Sequence, residues 1–141
     1  MKIILLSISL LSVNLILAQD IFGDWKTVDD DSGVEKSIVE IYKEDDQVFG
    51  KVKKILKEDE RDRRCSKCEG EQKDQKIEGM VILESLSKDG EEYTDGRITD
   101  PENGKTYDAK IWLNDEDPNI LMVRGYVSLF YRTQEWKRVE D

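Results

Sequence analysis

The sequence predicts an all-β domain, either a sandwich or a barrel. Three observations predict it. Apolar and polar residues alternate in short runs, turn-forming residues separate the runs at regular intervals, and no helix-period stretch of twelve or more residues follows the N-terminal apolar segment. Strands with one wet face and one dry face read this way in antiparallel sheet.

The N-terminal segment comes first. MKIILLSISLLSVNLILA, residues 1–18, carries one charge at Lys2, then an apolar stretch, then the small residue Ala18. This is the plan of a secretory signal peptide, with cleavage expected after Ala18. A membrane anchor needs roughly 20 apolar residues and charged flanks, and no later apolar run is long enough to cross a bilayer. The expected working domain is residues 19–141, placed in the periplasm or secreted.

Eight candidate strands follow. The run 22–28 holds Trp25 and ends at the turn-forming DDDSG of 29–33. In 36–43, Val39 and Ile41 share a face; EDD closes it at 44–46. In 47–56, Val48, Gly50 and Val52 line up opposite Lys51 and Lys53. The run 79–86 contains GMVIL, and KDGE at 88–91 turns it into 91–99. DPENGK at 100–105 leads into 105–113, where Tyr107, Ala109, Ile111 and Leu113 share one face. NDEDPN at 114–119 precedes 119–127, with Leu121, Val123 and Gly125 in phase, and 133–139 completes the series. One segment breaks the rhythm. KEDERDRRCSKCEGEQKDQK, residues 57–76, is almost wholly charged and holds both cysteines. A connection this long is either a solvated surface loop or a lid and contact surface arching over one end of the barrel.

Composition excludes whole classes of chemistry. The 141 residues contain no histidine. Ser-His-Asp and Cys-His nucleophilic machinery is therefore absent, as are the usual imidazole-based metal sites. Lys and Arg total 22 against 32 Asp and Glu; without Lys2 the net charge is about −11. That surface repels nucleic acid and anionic lipid, so no nucleic-acid partner is expected. No cofactor is expected either.

Gly23-Asp24-Trp25 resembles the G-x-W signature of the lipocalins, in which the tryptophan closes the bottom of an eight-stranded barrel and a basic residue of the last strand covers its ring. RTQEWKRV at 132–139 offers Arg138, in phase with Trp136, for that place. More widely, GDWKTVDDDSGVEKSIVEIYK, GMVIL, GRITDPENGKTYDAKIWL and LMVRGYVSLFYRTQEWKRV together resemble the DUF2147 domain family of small exported bacterial proteins, over about residues 21–139. The resemblance implies a small lipocalin-like antiparallel β-barrel of about eight strands, an exported location and a CSKC pair in the long loop. It implies no catalytic residues. Barrel closure is assigned to Trp25, Trp136 and Arg138, with Trp25 expected as a plug before it is a ligand contact.

The remaining motifs have modest readings. Cys65-Ser66-Lys67-Cys68 lacks two further zinc ligands, and its flanks do not suit a thioredoxin-like site. A disulfide stiffening the loop is expected, with thiol-redox enzymology the weaker reading. DPENGKTYD, 100–108, gathers acids near Gly104 without calcium-loop spacing, and a hairpin with Gly104 at positive φ suits it better. With 32 acids, no carboxylate pair stands out as a glycosidase dyad. The aromatics of RGYVSLFYRT, 124–133, suit either rim packing or a binding mouth. The expected function is non-enzymatic: a small apolar or amphipathic ligand held in the barrel by Trp25, Tyr107, Ile111, Tyr126, Phe130 and Tyr131. The alternative is an envelope or secreted interaction protein with a filled barrel, meeting an envelope protein through its surface and the Cys65–Cys68 loop.

Overall fold

The computed structural model describes residues 19–140; the expected leader, 1–18, lies outside the described residues. The strands are β1 (Gly23–Val28), β2 (Glu35–Glu44), β3 (Gln47–Ile55), β4 (Val81–Asp89), β5 (Glu92–Thr99), β6 (Thr106–Leu113), β7 (Ile120–Val127) and β8 (Phe130–Arg138). Each pairs antiparallel with the next, and β8 returns to β1. The sheet is therefore a closed up-and-down barrel and not a sandwich. Closure satisfies strand edges that an open sheet would leave bare.

Alternation places the core. Val39, Ile41, Val48, Val52, Ala109, Ile111, Leu121 and Val123 are all buried, on the faces that period-two spacing gives them. A Cβ on Gly50 would stand 3.0 Å from both Ile41 and Leu83, its partners on β2 and β4, so the glycine makes room for those two larger side chains on either side of it. At β4–β5 the ladder breaks between the Glu84–Arg97 and Ser87–Thr94 pairs. Ser85 and Asp95 both take left-handed φ of 59° there. Two residues on each strand are left out of the ladder there, and the register is the same on both sides of the gap.

The two ends differ. The closed end carries residues 19–22 and the short turns after β2, β4 and β6. Trp25 is fully buried there. Its indole Nε1 donates to the Ile21 carbonyl at 2.8 Å, and the Arg138 guanidinium lies 4.3 Å above the ring. Arg138 Nη2 also donates to the carbonyls of Asp20 at 2.8 Å and Pro118 at 3.1 Å. One arginine thus joins three chain segments over an indole face, an arrangement worth about 0.5–2 kcal/mol for the cation–π contact. Trp136 is buried higher up, where its Nε1 donates to Gln134 Oε1 at 3.0 Å.

The seam between β1 and β8 is short. Only Trp25–Arg138 and Lys26–Lys137 stand in register, although β8 pairs with β7 from Phe130 to Lys137. Beyond Lys26 the two strands diverge toward the other end, the mouth. An ion pair from Arg132 Nε to Asp30 Oδ2, at 2.6 Å, spans the gap.

Candidate functional site

Four connections surround the mouth: 29–34, 56–80, 100–105 and the two-residue turn 128–129. The longest is a packed flap. Its outer side chains are charged and exposed, yet Cys65 and Cys68 are 0% and 2% exposed, and Ile77 is buried as well. Cys65 and Cys68 form a disulfide. Backbone bonds fold the flap on itself: Cys65 N–H donates to the Gln75 carbonyl at 2.8 Å and Ile77 N–H to the Arg63 carbonyl at 3.1 Å. The segment is thus solvated on its outer face and a lid on its inner one. Its first half forms only a short 3₁₀ turn, Glu58–Glu60.

The flap is seated on the β5–β6 turn. Gly104, at φ +72°, faces the backbone of Lys67 and Cys68 so closely that a Cβ would stand 2.6 Å from the Cys68 nitrogen. Arg63 grips Glu102 with both terminal nitrogens, at 3.3 and 3.4 Å. Two motifs that look unrelated in sequence, CSKC and DPENGK, therefore form one unit. The polar groups of the turn are engaged locally: Asp100 Oδ1 accepts from Glu102 N–H at 2.9 Å, and Asn103 Oδ1 from Lys105 N–H at 2.8 Å. Among the described residues no group of three or more Cys, Asp or Glu is placed to hold a metal ion.

Beneath the flap the barrel encloses a cavity of about 400 Å³ that opens at the mouth. Val52, Ile55, Ile77, Ile82, Ile98 and Val123 supply its apolar walls, and Trp136 borders it from below. Hydroxyls on the wall are already paired, Thr27 with Ser37 at 2.7 Å and Thr99 with Thr106 at 2.9 Å. Gly125 lies where a Cβ would meet only Ile98 and Tyr107, at 3.5 and 3.8 Å. Its missing side chain leaves open volume.

The rim is charged and ion-paired. Lys36 Nζ lies 3.4 Å from Asp29 and 3.7 Å from Glu102. Two Ser32 groups, the backbone N–H first and then the hydroxyl, hold the Asp29 carboxyl at about pKa 2, with help from Asp31 N–H and Lys36. Arg63, and then Lys36, hold Glu102 below the ordinary carboxylate range, and Glu102 in turn raises Arg63. At the flap's far end Glu78 accepts from Ile55 N–H and Arg61 Nε, both at 3.0 Å. Its carboxyl is lowered by those bonds, the Ile55 N–H first.

The residues expected to meet a ligand are divided by the structure. Tyr107 borders the cavity, its hydroxyl accepting from Asn103 Nδ2 at 3.2 Å. Trp25 and Ile111 are fully buried away from the cavity's border, Trp25 at the closed end. Tyr126 lines a shallow depression on the outer surface beside Asp108 and Lys110. Phe130 and Tyr131 are exposed on the β7–β8 hairpin. Missed by sequence reasoning were the isoleucines of the wall, Trp136 as a floor, and the Lys36–Glu102–Arg63 rim. A small residue, Gly125, in phase with Val123 near a strand end was the available signal.

Comparison with known proteins adds the following. The sequence profile of the family described as "Uncharacterized protein conserved in bacteria (DUF2147)" matches residues 23–138. A comparison with curated protein sequences finds no match. The solved structure titled "Protein HP1028 from the human pathogen Helicobacter pylori belongs to the lipocalin family" is similar at a TM-score of 0.75 and 18% identity, over 88% of this chain and 86% of that one. At that identity the likeness speaks for the fold, which is a lipocalin-like barrel. With 23–138 matched by its profile, the chain belongs to the DUF2147 family.

Proposed function

We propose that this protein is an exported, non-enzymatic carrier that holds a small apolar or amphipathic molecule in the mouth cavity. One observation carries the reading: about 400 Å³ of space walled by aliphatic side chains and entered past an ion-paired rim. Ligand pockets begin at roughly 300 Å³, so the space suits one small guest. The fold class favours the same reading by analogy only. Export is supported by the leader-like residues 1–18 and by the Cys65–Cys68 disulfide, a bond that persists in oxidising compartments. Thiol catalysis gains no support from sulfurs that are joined and buried. The cavity favours the carrier reading over an interaction module built on a filled barrel.

Native mass spectrometry of the protein isolated from its own host tests the proposal. A co-purifying guest of small-molecule mass is the expected result. The cavity assignment is checked separately with an environment-sensitive apolar dye. Gly125→Leu, which puts an isobutyl group into the open space, should abolish dye uptake while the fold persists. Equal dye uptake by both proteins would refute the site.

A further inference from the structure

The β7–β8 hairpin has a surface unlike the rest of the chain. Charged residues make up 38% of the sequence, yet GYVSLFY, 125–131, contains none and is the longest such run after the leader. Its apolar side chains face solvent: Leu129 is 93% exposed, Phe130 77%, Tyr131 61% and Val127 51%. The turn is tight, with Val127 paired to Phe130 and Ser128 at φ 56°, so Leu129 stands at a convex tip. Behind the tip the character changes at once. The Arg124 guanidinium lies 4.1 Å over the Tyr131 ring, and Arg132 is tied to Asp30. Val34, 57% exposed, sits on the neighbouring mouth connection.

Exposed apolar surface of this kind marks a docking site. Its shape and the order of its side chains select the occupant. The tip offers on the order of 500 Å² of apolar area, taking aromatic side chains at roughly 150–250 Å² each. A stable protein interface buries about 800 Å² per partner, a little over half of it apolar, so area alone does not decide; but such an interface is usually built on a flatter patch than a two-residue turn. A lipid surface has no such requirement. Leu and Phe foremost, Tyr behind them and Arg behind that is the order of side chains that suits acyl boundary, interface and phosphate level. The net charge of −10 argues against anionic lipid as the driving attraction.

We infer that the β7–β8 tip is a membrane-docking element, with Leu129 and Phe130 entering the interface of a zwitterionic bilayer. The position of the tip gives the contact a use. Val127 and Arg132, on either side of the turn, both border the cavity, and the diverging edges of β1 and β8 open beside it. Docking sets the mouth and this cleft against the lipid. That use rests on the carrier reading; docking itself does not.

Co-sedimentation of the purified protein with large phosphatidylcholine vesicles tests the inference. The wild-type protein should partition onto the vesicles, and Leu129→Asp/Phe130→Asp should lower the partition coefficient at least tenfold. Both replaced side chains are solvent-exposed, so the variant should keep its melting temperature and its dye uptake. Gly125→Leu should bind vesicles as the wild type does, which separates docking from cavity function. An absence of wild-type binding, binding to phosphatidylglycerol vesicles alone, or an unchanged double variant would each overturn the inference. So would a wild-type dimer in sedimentation velocity that the double variant dissolves, because the tip would then join two copies of this chain.

Discussion

Replacing Gly104 by Ala would test whether the flap is clamped to the β5–β6 turn. The residue sits at φ +72°, where an L side chain costs about 1–2 kcal/mol. Its Cβ would intrude on the backbone of Lys67 and Cys68, 2.6 Å from the Cys68 nitrogen. Neither group can rotate away, because the Cys65–Cys68 ring holds both. The flap must lift, and forced backbone shifts in packed regions cost about 1–3 kcal/mol. Ala returns about 0.4–1 kcal/mol by restricting the unfolded chain. The net loss is about 1–5 kcal/mol, with a middle value of about 3 kcal/mol. At about 3–6 °C per kcal/mol for a domain of this size, the middle value lowers the melting temperature by about 9–18 °C. Thermal unfolding by circular dichroism gives the global figure. Hydrogen exchange gives the local one, and the bonds of Cys65 N–H and Ile77 N–H should lose protection before the barrel strands do. A variant melting within about 2 °C of the parent, with those amides still protected, would show that the flap is not seated on Gly104.

Trp25→Ala should cost about 3–5 kcal/mol, since the indole is fully buried beneath Arg138; urea denaturation measures it, and a loss under about 1 kcal/mol would contradict its role at the closed end. Cys65→Ala/Cys68→Ala opens a ring whose closure contributes about 2 kcal/mol in the chain-entropy account; flap amides should exchange roughly 30-fold faster at that value, while strand amides stay as they were. Acidification should loosen the rim in a defined window. Asp29 falls from 3.8 in the unfolded chain to about 2 in the fold, and Glu102 and Glu78 are lowered too. Such groups stabilise the fold fully above their unfolded values and lose the effect as pH falls through the folded ones. Rim order should therefore weaken between about pH 4.5 and 2. Carboxyl NMR titration checks it, and an Asp29 midpoint near 3.8 would remove the stated cause.

Much of the barrel was legible because alternation and turn chemistry are local. The expected run 105–113 and β6 (Thr106–Leu113) agree to within a residue, as DPENGK and NDEDPN bound it on both sides. The start of β8 was not legible. It begins at Phe130, three residues before the expected 133, because the turn Val127-Ser128-Leu129-Phe130 contains no Gly, Pro, Asn or Asp. Ser128 takes its φ of 56° without the residue type that usually signals it. The flap was half legible. Its charges announce solvent, but the burial of Cys65 and Cys68 follows from an Arg63–Glu102 contact across 39 residues of chain, and no local pattern carries that. The cavity was the least legible feature. Whether eight strands enclose side chains or space depends on summed volumes, and Gly125 tips that sum at one position. Tyr126, Phe130 and Tyr131 drew attention as aromatics, yet period two puts Tyr126 on the outer wall, opposite in phase to Val123 and Gly125.

Both ends of the described chain leave from one pole of the barrel: Val139 N–H donates to the Asp24 carbonyl at 3.0 Å, and Arg138 caps the carbonyl of Asp20. The opposite pole lies a full strand away, on the order of 25 Å at roughly 3.3 Å per residue. An affinity tag or a surface tether joined at either end would therefore point backward and leave the entrance unobstructed. For the same reason, a short linker could fuse the two ends and the chain could be reopened at the turn after β4, giving a permuted protein with the same interior.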